Sequence, residues 1–103
     1  MLPDNITIGC YDYAVEQTTE PIIVDGEVCL GSFSPLHQVL KIKADVSDQT
    51  KEQTFWHEAV HAIFDYYRID VEEMETEDVV DILGTGLYAL MKANGILPGQ
   101  VIE

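Results

Sequence analysis

His57, Glu58 and His61 are the residues of this chain best suited to chemistry, and their spacing is the reason. In a helix, four residues make a rise of about 6 Å and a rotation of about 40°, which sets two imidazoles on one face within reach of one ion. Zinc favours nitrogen ligands of this kind, and catalytic zinc sites keep one position open for water. Glu58 projects from the same turn, where its carboxylate can take a proton from that water. The pentapeptide His57-Glu58-Ala59-Val60-His61 thus holds two ligands and a base, a pattern that points to hydrolysis assisted by one Zn2+ per chain.

A catalytic zinc needs a third protein ligand. Asp65 lies one further step along the helix, but eight residues separate it from His57 by about 12 Å, too far for one ion to bridge. A metzincin would place Gly three residues and His six residues after His61, where this chain has Phe64 and Tyr67, so that pattern is excluded. Glu77 is the better candidate, because the connection before it is long enough to reverse the chain. Spaced i and i+4, Glu77 and Asp81 share a helical face. Glu77 is expected to bind the metal, and Asp81 to accept a hydrogen bond from a ligand histidine and fix its tautomer. Gly84 falls on the same face, where the lack of a side chain would let this helix approach the first closely.

These residues need elements to position them, and the first half of the chain reads as strands and the second as helices. Ile6-Thr7-Ile8, leading through Gly9 into Cys10 to Val15, reads as a first strand. Pro21 to Val24 and Glu27 to Leu30 flank Asp25-Gly26, a tight-turn signal. Gly31 to Pro35 breaks the pattern. Gln38 to Lys43 alternates apolar and basic residues, with Leu40 and Ile42 toward the core and Lys41 and Lys43 toward water. Ser47 or Asp48 is predicted to cap a helix running to about Tyr67. Residues 68–75 connect it, with room for a turn of helix, to a last helix that Thr76 would cap and Asn94-Gly95 would end. Val79, Val80, Leu83, Leu87, Leu90 and Met91 form its apolar stripe. Pro98-Gly99 opens a short tail.

Composition narrows the function classes. The 103 residues are 47% apolar, which argues for one folded domain, residues 1–103. Nineteen acidic residues against five basic ones give a formal charge of −14. Such a surface repels phosphate backbones and anionic membranes, so neither nucleic acid nor membrane is expected as a partner. Residues 65–81 carry eight acids and one base, Arg68, which reads as a solvated segment or as an acidic rim that attracts basic substrates. No basic residue precedes Lys41 and no long apolar stretch opens the chain, so no secretory signal is expected. Cys10 and Cys29 lack CxxC spacing and are expected to be buried, inert thiols in a cytoplasmic setting.

His57-Glu58-Ala59-Val60-His61 followed by Glu77-Asp78-Val79-Val80-Asp81 resembles the gluzincin pattern of zinc peptidases, HExxH then ExxxD. The short spacing and strand-rich N-terminal half are most similar to minimal gluzincins of bacteria and phages, of which the SprT-like and ImmA/IrrE-like peptidases are relatives. The likeness covers roughly residues 28–94. It implies a minimal zincin-like α+β fold, with a small, twisted, mostly antiparallel sheet packed on two core helices. It also implies a metallopeptidase acting on a protein or peptide inside a bacterial host cell. The strand before the zinc helix would line the cleft and pair with an extended substrate, a role that falls on Val39, Leu40, Lys41, Ile42 and Lys43. A Tyr or His would stabilise the oxyanion; His37 is the candidate at the cleft mouth, while Tyr66, Tyr67 and Tyr88 read as packing residues. The alternative is a zinc-stabilised binding or regulatory module of the same fold that does not turn over substrate. A DNA-associated role of the SprT kind is disfavoured by the charge and by the absence of a zinc-ribbon cysteine set. The oligomeric state is not legible.

Overall fold

A computed structural model describes residues 2–96. Alternation of apolar residues sets which way each strand faces, and the result is the expected α+β architecture. The strands are β1 (Asn5–Ile8), β2 (Tyr11–Thr18), β3 (Ile22–Val24), β4 (Glu27–Cys29), β5 (Gly31–Ser34) and β6 (Val39–Lys43). The helices α1 (Asp48–Tyr67) and α2 (Thr76–Ala93) follow, with one 3-10 turn at Val71–Glu73 between them. Four strands form a sheet in the order β1-β2-β6-β5, and β3 and β4 pair as a separate hairpin. The pairings β1–β2 and β5–β6 are antiparallel, whereas β2 and β6 run parallel.

One face of the sheet carries Ile6, Ile8, Tyr13, Val15, Leu40 and Ile42, all buried. Against it α1 lays Phe55, Ala59, Ala62 and Ile63, and α2 contributes Leu90. Each large side chain among these is worth about 1.5–3 kcal/mol of transfer free energy, so this cluster dominates the stability of the domain. Ser47 caps α1, its hydroxyl accepting from the Thr50 N–H. The helix ends at Arg68, whose left-handed backbone turns the chain away.

Several boundaries differ from the sequence reading. Gly9-Cys10 forms a turn that splits the expected first strand into the β1–β2 hairpin. Gly9 has a positive φ of 59°, and the Tyr66 ring occupies the space where a side chain would go. Gly31–Ser34 is a strand rather than a break. Glu75, not Thr76, stands at the cap of α2, and no side chain bonds there. The close approach of the two helices occurs at Gly86, not Gly84. A Cβ on Gly86 would lie 2.5 Å from the Ile63 Cγ2, while a Cβ on Gly84 would meet nothing within 4 Å. The expected tail at Pro98-Gly99 lies outside the described residues.

The far end of α2 is clasped to β1. The Asn94 side chain accepts from the Thr7 N–H at 3.0 Å, and its amide donates back to the Thr7 carbonyl at 3.0 Å and to the Leu90 carbonyl at 2.7 Å. No helix among the described residues is long and apolar enough to cross a membrane.

Candidate metal and catalytic site

The buried stripe of α1 reads Thr54, Phe55, Glu58, Ala59, Ala62, Ile63, and one member of it is a carboxylic acid. A glutamate in an apolar stripe breaks the rule that charges face water, and such exceptions concentrate where a chain does chemistry. Glu58 is 6% exposed. Burial pushes its carboxyl above the ordinary glutamate range, and the neighbouring His57 and His61 oppose only part of that shift. A carboxyl moved toward neutrality suits a group that must take up a proton and give it back.

His57 and His61 stand beside Glu58 on the solvent side of the same turn, both exposed. Their ring centroids are 5.0 Å apart and the rings meet edge to face. A cavity of about 430 Å³ opens between α1 and the bend joining β4 to β5, lined by Leu30, Gly31, Thr50, Thr54, His57 and Glu58. Gly31 makes that seam possible. A Cβ there would sit 2.6 Å from the Thr54 methyl, 3.0 Å from the Lys41 carbonyl oxygen and 3.2 Å from the Glu58 Cγ. The lack of a side chain on β5 is therefore what lets the glutamate lie flat against the sheet.

As a donor set, two imidazoles one helical turn apart fit a divalent transition ion. Among the described residues, no three His, Cys, Asp or Glu side chains are gathered into a group able to hold an ion. Glu77 and Asp81 both stand exposed at the start of α2, on one helical face as their spacing requires. Asp65 points elsewhere: its charge helps raise the Tyr13 hydroxyl to about 12, behind the burial of that ring.

Two of the expected site positions are corrected by the sheet topology. Strand β6, Val39 to Lys43, is hydrogen-bonded to β2 on one side and β5 on the other, so its backbone has no free edge for a substrate. Among the described residues β5 is paired on one side only. Lys43 N–H donates to the Leu30 carbonyl, which makes residues 30, 32 and 34 the ones bonded to β6. The backbone groups of Gly31 and Phe33 therefore point outward along an open edge beside the cavity. His37 lies on the opposite face of the sheet. Its Nδ1 is 3.1 Å from the Ser34 hydroxyl, and it lines a hollow with Ser32, Val39 and Lys41, whose side chains alternate away from α1. It is not at the mouth of the cleft.

The tyrosines and cysteines complete the account. Tyr66 packs at the far end of α1, its hydroxyl accepting from the Cys10 N–H at 3.2 Å. Tyr67 lies near Gly86, and Tyr88 is exposed beside Lys92. Cys10 is exposed and Cys29 half-buried on the cavity wall, so neither is the buried thiol expected from sequence. Gly31 and Thr54 were missed by sequence reading; a Gly opening a strand opposite an alternating run was the available signal. No family model, curated protein or solved structure matches the chain.

Proposed function

We propose that this chain is a zinc-dependent peptidase in which His57, His61 and Glu77 hold the metal and Glu58 is the general base. The observation that carries the reading is the buried Glu58, set between two paired histidines and opening onto a cavity beside a free strand edge. A purely structural metal site has no use for a desolvated carboxylate at that place.

In this reading an extended peptide pairs with the outward Gly31 and Phe33 backbone groups, which brings its scissile carbonyl across His57 and Glu58. A bound zinc would supply Lewis acidity, activating water and polarising the carbonyl. Glu58 accepts a proton from the attacking water and returns it to the leaving amine nitrogen. The seam at Gly31 holds that carboxylate against the sheet, so it reaches the reacting atoms without a rotamer search. Asp81 orients a ligand histidine through its second ring nitrogen. Metal binding and site assembly are generally coupled, and Glu77 joins the two histidines as part of that coupling.

The test is the metal content of the purified chain, measured beside Glu77→Ala. One zinc per chain, lost or sharply weakened in the variant, is the expected result. A chain that takes up no zinc when zinc is supplied would end the proposal.

A further inference from the structure

Resting on that reading, the charges around the cleft say what kind of polypeptide it takes. Among the described residues the cavity wall carries no Lys, Arg or Asp; apart from His57 and Glu58 it is Cys29, Leu30, Gly31 and neutral polar side chains of α1. Such a lining accommodates an uncharged side chain and penalises a buried carboxylate, which would find no Lys or Arg partner there.

Outside the cavity the balance changes. On the hairpin side, Asp25 and Glu27 are exposed around the β3–β4 turn. Beyond His61, besides the site carboxylates Glu77 and Asp81, the side chains of Asp70, Glu72, Glu73, Glu75 and Asp78 are exposed, and the base Arg68 lies with Asp65 and Asp70 around a separate hollow. The other cations are turned away from the cleft. Lys41 lies on the opposite face of the sheet, and Lys43 is tied to Asp45 at 3.0 Å and to the Thr19 carbonyl. Lys51 lines a hollow with Leu2 and Gln17 on the β2 side of α1, and Lys92 sits over the Tyr88 ring near the end of α2.

Hydrophobic surface continues from the cavity onto the hairpin. Leu30 is 50% exposed at the cavity rim, and two residues before it Val28 is 74% exposed and paired with Ile23, itself 56% exposed. A chain with this many acids gains nothing in solubility from three open aliphatic side chains beside its candidate site.

We infer that the substrate is an extended segment of a basic protein, with an uncharged side chain in the cavity beside Glu58 and Lys or Arg residues on both flanks. The free edge of β5 binds its backbone, the neutral cavity selects the central side chain, and the two acidic flanks select and steer its charge.

The experiment is peptide binding to the zinc-loaded Glu58→Gln chain, followed by fluorescence anisotropy at low and physiological salt, with zinc content measured on the same sample. The probes are ten-residue peptides with a central Leu flanked by Lys, the same Leu flanked by Glu, and a central Asp flanked by Lys. The Lys-flanked Leu peptide is expected to bind at least about tenfold more tightly than either other peptide, with the preference over the Glu-flanked one shrinking as salt rises. Leu30→Asp, at an exposed position where folding is not at stake, should weaken that peptide while zinc content holds. Equal affinities, tighter binding of the Glu-flanked peptide, or no binding of any probe would overturn the inference. Zinc content then separates the two failures: a loaded chain without the preference sinks the substrate assignment alone, and an unloaded chain sinks the metal site beneath it.

Discussion

Helix α1 and the first turn of α2 carry the two halves of the candidate site, and they hold their residues in opposite ways. On α1 the base is buried against β5 at the edge of the main core, beside Ala59 and Ala62, with the histidines on the same turn. On α2, Glu77 and Asp81 stand exposed on a turn that no side chain caps. The difference teaches that folding alone positions the base and the histidine pair, whereas the acidic half depends on how α2 docks. That docking has one tight point near α1, at Gly86 against Ile63, and one clasp on β1, at Asn94.

The largest effect that would test this division is on turnover. Glu58→Gln should keep one zinc per chain and lose about 10²–10⁴-fold in peptide hydrolysis, because the general base is gone and the ligands remain. Wild-type turnover in that variant would break the assignment of the chemistry to α1.

The next contrast lies within α2. Gly86→Ala should cost about 1–3 kcal/mol, since the new methyl overlaps Ile63, and by disturbing docking it should also weaken zinc binding. Gly84→Ala, facing open space two residues away, should instead be neutral or stabilising by up to about 1 kcal/mol through helix propensity. Chemical denaturation and metal titration on the two variants would read both effects. Equal behaviour would mean that α2 does not dock through Gly86.

The smallest effect sits at a tyrosine of the core that packs on Phe33. Tyr13 is 1% exposed, and its hydroxyl has no hydrogen-bond partner among the described residues. Tyr13→Phe removes an unpartnered polar atom and should raise stability at neutral pH by about 1 kcal/mol, leaving zinc binding unchanged. The pH dependence has a definite sign. The hydroxyl titrates at about 12 in the fold against 10.0 ordinarily, so the fold favours its neutral form. That contribution is complete below pH 10 and is lost as pH rises through 12, on the order of 2 kcal/mol. Tyr13→Phe should flatten this stretch of the stability curve, read by denaturation at successive alkaline pH values.

Much of this arrangement is legible in the sequence. The alternation in residues 39–43, the Ser47 cap and the Asp25-Gly26 turn are local signals, and local signals carry strand, helix and hairpin well. What could not be read is long-range. Sheet order decides which strand has a free edge, and nothing within Val39 to Lys43 says that β2 lies parallel on one side of it. The same gap placed His37 at the cleft, since the face it occupies depends on register with Ser34. Strand β5 was hidden because an edge strand with serines on its outer face and glycine toward the helix shows no apolar alternation. Gly84 and Gly86 lie two residues apart on one helix, and only the crossing of α1 distinguishes them.

The Asn94 clasp has a consequence for the order of assembly. It joins residues 87 apart in sequence, so forming it early would close nearly the whole chain into one loop at full entropic cost. The β1–β2 hairpin closes over a two-residue turn and α1 forms locally, so both can precede it. Helix α2 therefore docks after the sheet and α1 have formed.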